Sequence, residues 1–547
     1  MSQIQIFEQK DFTGGLNLRS DQFQLANNES PEMLNVEVDP RGGVFSRGGM
    51  TRINPANVAG TWEPDKLHAF YSAASHYIMM SNNHNVFKST GTDFTSLDVS
   101  SGVPIVSTSP HGACFASWGN TLYMSLGSSS TAGAYKWDGA TTYATNLTRS
   151  GSSPHNWQTR STAPAGKFPQ CEHIAIHANK MWAANTTEDG VNFPNRVRFS
   201  DESLPENWVE EDYIDIQGGG PSIIAIVSVN GVLLVFKQSA VYAIYGYDYN
   251  DFRIVPLSEH LGCSSHHALA ASDTGVYFFS SNHGLFYTNG NSVIDLFQPL
   301  RPLFDLGYIN NASEESISVS WIGRRVWLSL PYSQTTLVEY PSVNFVFDPT
   351  MNSYTMFQTA DNKGLVGGCD FTTQTGVDMR VAIHPSTPAV MQVDRYSIDS
   401  DYINADGSLT GFASYYRTKW FDAGSYMQRK MFRRPELVLR ETDSQQTLSV
   451  KVYHDFQEAL GSEKREFSLT QTSTTQGLVW GENWALEPAG GTPNGESWSN
   501  ETLGGSIATA SNLGLCKTVQ LRFSGESTKP WGINSIGYKW SPRRVKG

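Results

Sequence analysis

One unit recurs along this chain: an apolar strand, a Gly or Asn turn, and a second strand rich in Tyr, Trp or Phe, with one or two weaker strands behind it. Residues 228–246 carry its clearest copy. There Asn230-Gly231 precedes the apolar run 232–236, and the polar Lys237-Gln238-Ser239 separates that run from a second one at 241–245. Both runs are too short for helices and rich in β-branched and aromatic residues, so they read as strands. Asn-Gly is the dipeptide of a tight hairpin turn with positive φ. Phe236, Tyr242 and Tyr245 read as core packing, not as ligand contacts.

Comparable units start near residues 67, 112, 171, 223, 268, 317 and 364. A spacing of roughly 45–60 residues is that of four-stranded propeller blades. The expected architecture between 66 and 400 is therefore a β-propeller of about seven blades. Large aromatic side chains suit sheets packed face to face around an axis. A string of β-sandwiches is the competing architecture. Low charge (17%), 12% aromatic residues and 48 glycines agree with an all-β chain of many turns.

Residues 1–65 carry turn signals such as Thr13-Gly14-Gly15 and Arg47-Gly48-Gly49 but few apolar residues. A segment so poor in apolar side chains cannot bury a core alone, so it leans on another part of the chain or on a neighbouring subunit. From about 401 the character changes, and 401–547 reads as a separate β-sandwich-like domain with a polar excursion over 471–512. Two interruptions break the repeat. Residues 148–167 read as a long polar loop, and 186–215 as an acidic, solvated loop anchored by Trp208.

The net charge of −13 excludes a generally nucleic-acid-coating surface, which would be basic, but allows a channel along which a polyanion slides. The concentrated positive charge is Arg429, Lys430, Arg433 and Arg434 with Arg543 and Arg544. These are candidates for contact with an acidic neighbouring subunit or with phosphate. Five scattered cysteines without a CxxC or His/Cys pairing suggest neither a disulfide framework nor a zinc site. His266-His267 reads as core or surface histidine. No nucleophile elbow, phosphate loop or HExxH is present, so no catalytic, cofactor-binding or metal residue is expected and the chain reads as a non-enzyme. The start lacks the pattern of a signal peptide and no run reaches the ~18–20 apolar residues of a membrane span, so a protein made or assembled inside a cell is expected, without stable membrane insertion.

The phrases of residues 11–50, DFTGGLNLRSDQFQLANNESPEMLNVEVDPRGGVFSRGGM, resemble the opening of bacteriophage tail proteins. A Gly-Gly-Leu-Asn turn, Asn-Asn-Glu, Leu-Asn-Val and an Arg-Gly-Gly ending follow in that order. RVRFSDESLPENW (196–208), VNGVLLVFKQSAVYAIYG and YYRTKWFDAG…RKMFRR are similar to later parts of the same proteins. The group resembled is the tail-nozzle, or packaged-DNA-stabilising, family of short-tailed phages. That resemblance implies a propeller beside a platform built from the N- and C-terminal segments, so that 1–65 pairs with 401–547. It also implies six copies forming a tube below the portal–adaptor assembly, which retains the packaged genome and conducts it at ejection. Expected partners are further copies of the chain, portal and adaptor proteins, tail fibres or tailspikes, and double-stranded DNA passing without sequence-specific contact. The expected location is the virion tail, after assembly in the host cytoplasm. The alternatives are a carbohydrate-binding or glycosidase-like propeller, or a baseplate or distal tail component of a long-tailed phage.

Overall fold

The computed structural model describes residues 4–21, 23–82, 84–90, 93–107, 112–128, 133–147, 168–248, 250–333, 338, 340–395, 400–401, 407–440, 446–457, 462–471, 506–509 and 512–543. Among these, helix is limited to Pro302–Asp305 and the 3-10 segments Gln298–Leu300 and Asn311–Ser316. The protein is all-β.

Seven four-stranded antiparallel sheets, here I to VII, follow one another. Their first strands are Pro64–Tyr71, Cys114–Trp118, Gln170–His177, Ile223–Val229, Leu269–Ala271, Ser318–Ile322 and Val366–Thr372. Sheet IV contains the hairpin singled out in the sequence. Asn230 (φ 49°) and Gly231 (φ 75°) make its turn, and strands Val232–Lys237 and Val241–Tyr245 follow. Val232–Lys237 is buried along its whole length, with the Lys237 ammonium donating to Asn195 Oδ1 at 2.7 Å and to the Ile216 carbonyl at 3.0 Å.

First strands of adjacent sheets pack on one another for II–III, III–IV, V–VI and VI–VII, and that of VII packs on that of I. Two further contacts join the remaining neighbours. His68 Nε2 lies 2.9 Å from Ser117 Oγ between I and II, and Asn230 Nδ2 donates to the Thr274 carbonyl at 2.8 Å between IV and V. Sheet VII takes its fourth strand, Gly49–Arg52, from the opposite end of the chain. Residue 65, where a boundary was expected, lies on the first strand of sheet I, and sheet VII draws a strand from the residues before it.

Apart from the two-stranded pairings Gly15–Leu16 with Glu29–Ser30 and Asp98–Ser100 with Val103–Pro104, the remaining strands form two larger sheets that mix both chain ends. The long strand Gly532–Pro542 pairs with Gln5–Gln9, Val44–Ser46, Lys430–Phe432 and Glu436–Leu439. Glu32–Leu34 joins Tyr415–Arg417, Val519–Gly525, Gln446–His454 and Arg465–Gln471 in a five-stranded sheet. Met33, Val36, Val38 and Val44 sink into one core with Leu437, Leu521, Ile533 and Ile536. The apolar side chains that the first segment lacks are thus supplied by the C-terminal strands.

Residues 186–215 are not a solvated loop. They build the long hairpin Val191–Asp201 and Leu204–Asp215 of sheet III, with Trp208 fully buried. The charges are accommodated because they are paired across strands. Arg198, 2% exposed, grips Glu188 through two nitrogens, while Arg196 reaches Glu188 at 3.0 Å and Asp215 at 2.8 Å. Burial would raise the Glu188 carboxyl, but the Arg198 hydrogen bonds and charge hold it below its usual range. Residues 148–167 lie outside the described residues, as does most of 471–512. Within the latter, Ser506–Thr509 is a strand paired with Glu436–Leu439.

One buried knot ties the mixed sheets to the seven-sheet body. Arg47 and Asp401 form an ion pair at 2.7 Å with side chains 1% and 0% exposed. Arg47 uses all five of its N–H donors: Nε to Asn35 Oδ1, Nη1 to the Gly48 carbonyl and Asp401 Oδ1, Nη2 to the Gln358 carbonyl and Asp401 Oδ2, all at 2.7–2.9 Å. Asp401 also accepts the Met50 and Ala360 N–H groups, each at 2.9 Å. The Phe412 ring covers the guanidinium at 3.7 Å. Asn35 donates its N–H to the Met356 carbonyl on the last strand of sheet VI and its Nδ2 to the Ala413 carbonyl, both at 2.8 Å. Nearby, Gly15 (φ 63°) lies so close to sheet VI that a Cβ there would meet the Tyr354 carbonyl at 2.5 Å.

Removing one partner of so deeply buried a pair leaves an uncompensated charge. Arg47→Met and Asp401→Asn are each expected to destabilise the protein by about 3–5 kcal/mol, read by guanidinium denaturation. Arg47→Lys is expected to recover little of this, because an ammonium cannot reproduce the planar five-donor fork.

Candidate functional site

Two places concentrate chemistry: the region where the first strands meet, and the strand Lys430–Phe432 with its flanks in the sheet of Gly532–Pro542. In the first, strand alternation aims polar side chains from several sheets at each other. Lys66 of sheet I donates from its ammonium to the Leu269 carbonyl of sheet V at 2.6 Å. Burial lowers its pKa, while the thiols of Cys114, Cys263 and Cys369 act on it in the opposite sense. The His68 ring stacks on Phe115 at 5.6 Å, and burial followed by the Lys66 charge pushes its pKa down to about 4, so it is neutral at pH 7. Lys66, His68, Cys114 and Cys369 are half-buried.

Three residues distant in sequence converge here. Cys114 opens the first strand of sheet II, His173 sits on the first strand of sheet III, and His266 lies in the turn before the first strand of sheet V. One ligand-type atom from each lies within 4.8 Å of the other two. The His173 and His266 rings stack at 5.0 Å with 23° between planes, and the Ile174 N–H points at Cys114 Sγ from 3.5 Å. No sequence spacing announces this trio, since its members come from different repeats. The signal available was positional: each lies at or just before the first strand of its repeat.

All five cysteines are free thiols, and burial raises their pKa, to about 12 for Cys263, Cys369 and Cys516. Protonated thiols of this kind are poor nucleophiles at neutral pH. His266 and His267 occupy a turn, and their rings meet edge-on at 5.8 Å. His267 Nε2 lies 3.8 Å from Asp65 in a pocket of about 230 Å³ that Glu315 and Tyr340 also line.

Around the strand Lys430–Phe432, which pairs with Gly532–Pro542 on one side and Gly514–Cys516 on the other, the six basic residues separate. Arg429, Arg433, Arg434 and Arg543 are exposed. Arg543 donates its N–H to the Arg429 carbonyl at 3.1 Å, which sets these two residues side by side, and Arg433 lies about 13 Å further along the strand. Lys430 is not part of that surface. It is 2% exposed and its ammonium donates to the carbonyls of Ser425, Gln428 (3.1 Å) and Lys517 (3.3 Å). The alternation of Lys430 and Phe432 inward against Arg429 and Arg433 outward is the signal that separates them. Arg544 lies outside the described residues. Tyr426 and Met427, 55% and 72% exposed, precede Arg429, and Phe23 meets the Tyr426 ring edge-on at 6.1 Å. The result is an exposed face both apolar and basic.

No family model matches the chain, and no curated protein does. Solved structures similar to it include the BBS1 N-terminal domain crystallised with ARL6, at 10% identity and TM-score 0.38, over 64% of this chain and 96% of that one. The extracellular domain of BT4673 from B. thetaiotaomicron has 11% identity and TM-score 0.39, over 82% of this chain and 57% of that one. A fungal alcohol oxidase of the AA5 family in complex with copper has 9% identity and TM-score 0.35, over 74% and 86%. At these levels nothing of their activities transfers to this chain.

Asp65 supplies a pH test of the central region. Burial, with the Glu63 charge adding to it, pushes its carboxyl up to about 7 from an ordinary 3.8. A folded-state pKa above the unfolded one favours the neutral form, so its stabilising contribution is complete below about pH 4 and is lost as pH rises towards 7. The stability of wild type relative to Asp65→Asn is expected to fall across that window, by at most about 4 kcal/mol. A difference that stays flat from pH 4 to 8 in urea titrations contradicts this placement of Asp65.

Proposed function

We propose that this chain is a structural virion protein, the nozzle of a short-tailed bacteriophage tail, whose copies form a tube that retains the packaged genome and conducts it at ejection. In this reading the seven four-stranded sheets are the blades of one propeller. The segments 1–48 and 401–547 together make the platform beside it. The observation that carries the reading is the interleaving of both chain ends in the same two sheets, locked to the propeller by Arg47 and Asp401. This is the arrangement that the resemblance of residues 11–50 implies, and two of its phrases, Leu34-Asn35-Val36 and Arg47-Gly48-Gly49, supply the residues of the lock.

The propeller's own centre is not the conduit. Lys66 bridges sheets I and V, and His173 stacks on His266, whereas the major groove of a duplex alone is about 12 Å wide. DNA therefore passes between copies, along walls whose net charge repels it. The copies, six by the same resemblance, meet head to tail as ring-forming interfaces do. The face of Tyr426, Met427, Arg429, Arg433, Arg434 and Arg543 is the contact that seats on an acidic neighbour. Portal and adaptor proteins lie above the ring, and fibres or tailspikes attach around it.

Electron microscopy of assembled particles with this protein labelled is the test. The expected result is a ring of copies below the portal, around an acidic lumen. A protein that is monomeric within particles, or a ring without acidic lining, overturns the reading. Reversing Arg429, Arg433 and Arg543 to Glu is expected to leave a folded monomer by circular dichroism and to abolish ring assembly.

A further inference from the structure

We propose that Cys114, His173 and His266 form a metal site, holding one zinc-class divalent ion where sheets II, III and V meet. The inference is independent of the nozzle reading. Thiolate and imidazole are the donors that zinc takes, and three protein ligands with one open position make a recognised tetrahedral set. The ligand atoms already stand within 4.8 Å of one another. Tetrahedral coordination with Zn–S of about 2.3 Å and Zn–N of about 2.0–2.1 Å needs them roughly 3.5 Å apart. The closure of about 1 Å, with one imidazole turning out of the stack so that both ring planes meet the ion, is a matter of side-chain rotation, since Cys114 opens its strand and His266 lies in a turn. His173 is 2% exposed, while Cys114 and His266 are half-buried, which is the side from which an ion reaches the trio.

Binding is a proton exchange: the Cys114 S–H proton leaves to solvent as the sulfur takes the metal, and both imidazoles bind as neutral rings. No oxidation or reduction is involved. The nearby Lys66 ammonium remains on the Leu269 carbonyl and offsets the thiolate's charge. The fourth position is left to a water molecule. Sheets II, III and V are then cross-braced through residues distant in sequence, in place of disulfides.

The test uses the full chain, stripped with a chelator and titrated with Zn²⁺ and, separately, Co²⁺. The expected result is one equivalent per chain, a raised melting temperature with Zn²⁺, and a thiolate-to-cobalt charge-transfer band with Co²⁺. Cys114→Ser is expected to lose the band, and His173→Asn and His266→Asn each to weaken binding at least tenfold. Cys369→Ser, at a half-buried thiol outside the trio, is expected to keep both. X-ray absorption at the zinc edge of wild type gives a second reading that needs no variant, with one sulfur and two imidazole nitrogens expected. Absence of stoichiometric binding by the folded wild type, a shell without sulfur, or a band that survives Cys114→Ser overturns the proposal.

Discussion

The Arg47–Asp401 pair is the interaction on which the rest of this architecture depends. A buried ion pair gains little over an apolar substitute unless every remaining donor and acceptor is met. Here the five guanidinium donors and both carboxylate oxygens are all engaged. The partners come from four places: the N-terminal segment, the last strand of sheet VI with the residues after it, the strand Gly49–Arg52 that completes sheet VII, and the C-terminal segment. No apolar contact could fix four such pieces in one relative orientation, since apolar packing has no direction. The pair's contribution is therefore specificity of assembly more than net stability.

That constraint explains how a segment with few apolar residues is held. Residues 4–46 add strands to sheets whose cores are furnished by Leu437, Leu521, Ile533 and Ile536, and they meet sheet VI through Asn35 and the close approach at Gly15. The chain ends close the body twice, once by strand pairing within sheet VII and once through the mixed sheets.

Much of the fold was legible because its determinants are local. The hairpin around Asn230-Gly231 follows from a turn dipeptide and two β-rich runs, and the strands begin where those runs begin. The acidic stretch 186–215 was misread because the partners that neutralise it, Arg196 and Arg198 against Glu188 and Lys136 against Glu206, are joined across strands and make no pattern in sequence. Lys430 looked like surface charge because its neighbours are arginines, although strand alternation turns it inward. The Cys114–His173–His266 trio was invisible for a different reason: only the meeting of first strands from separate repeats brings its members together. Arg47 itself was visible only as part of a turn phrase, and nothing local to it points to Asp401.

The central claim, that both chain ends and the seven-sheet body are one cooperative unit, is open to a direct measurement. Native-state hydrogen exchange of the full chain, followed by mass spectrometry, reads the opening free energy of each strand. The account predicts that Val36–Val38, Gly49–Arg52 and Ser353–Phe357 exchange with one common protection and lose it together as denaturant rises. Exchange of the N-terminal strands in a separate, faster unit while Ser353–Phe357 stays protected would contradict it.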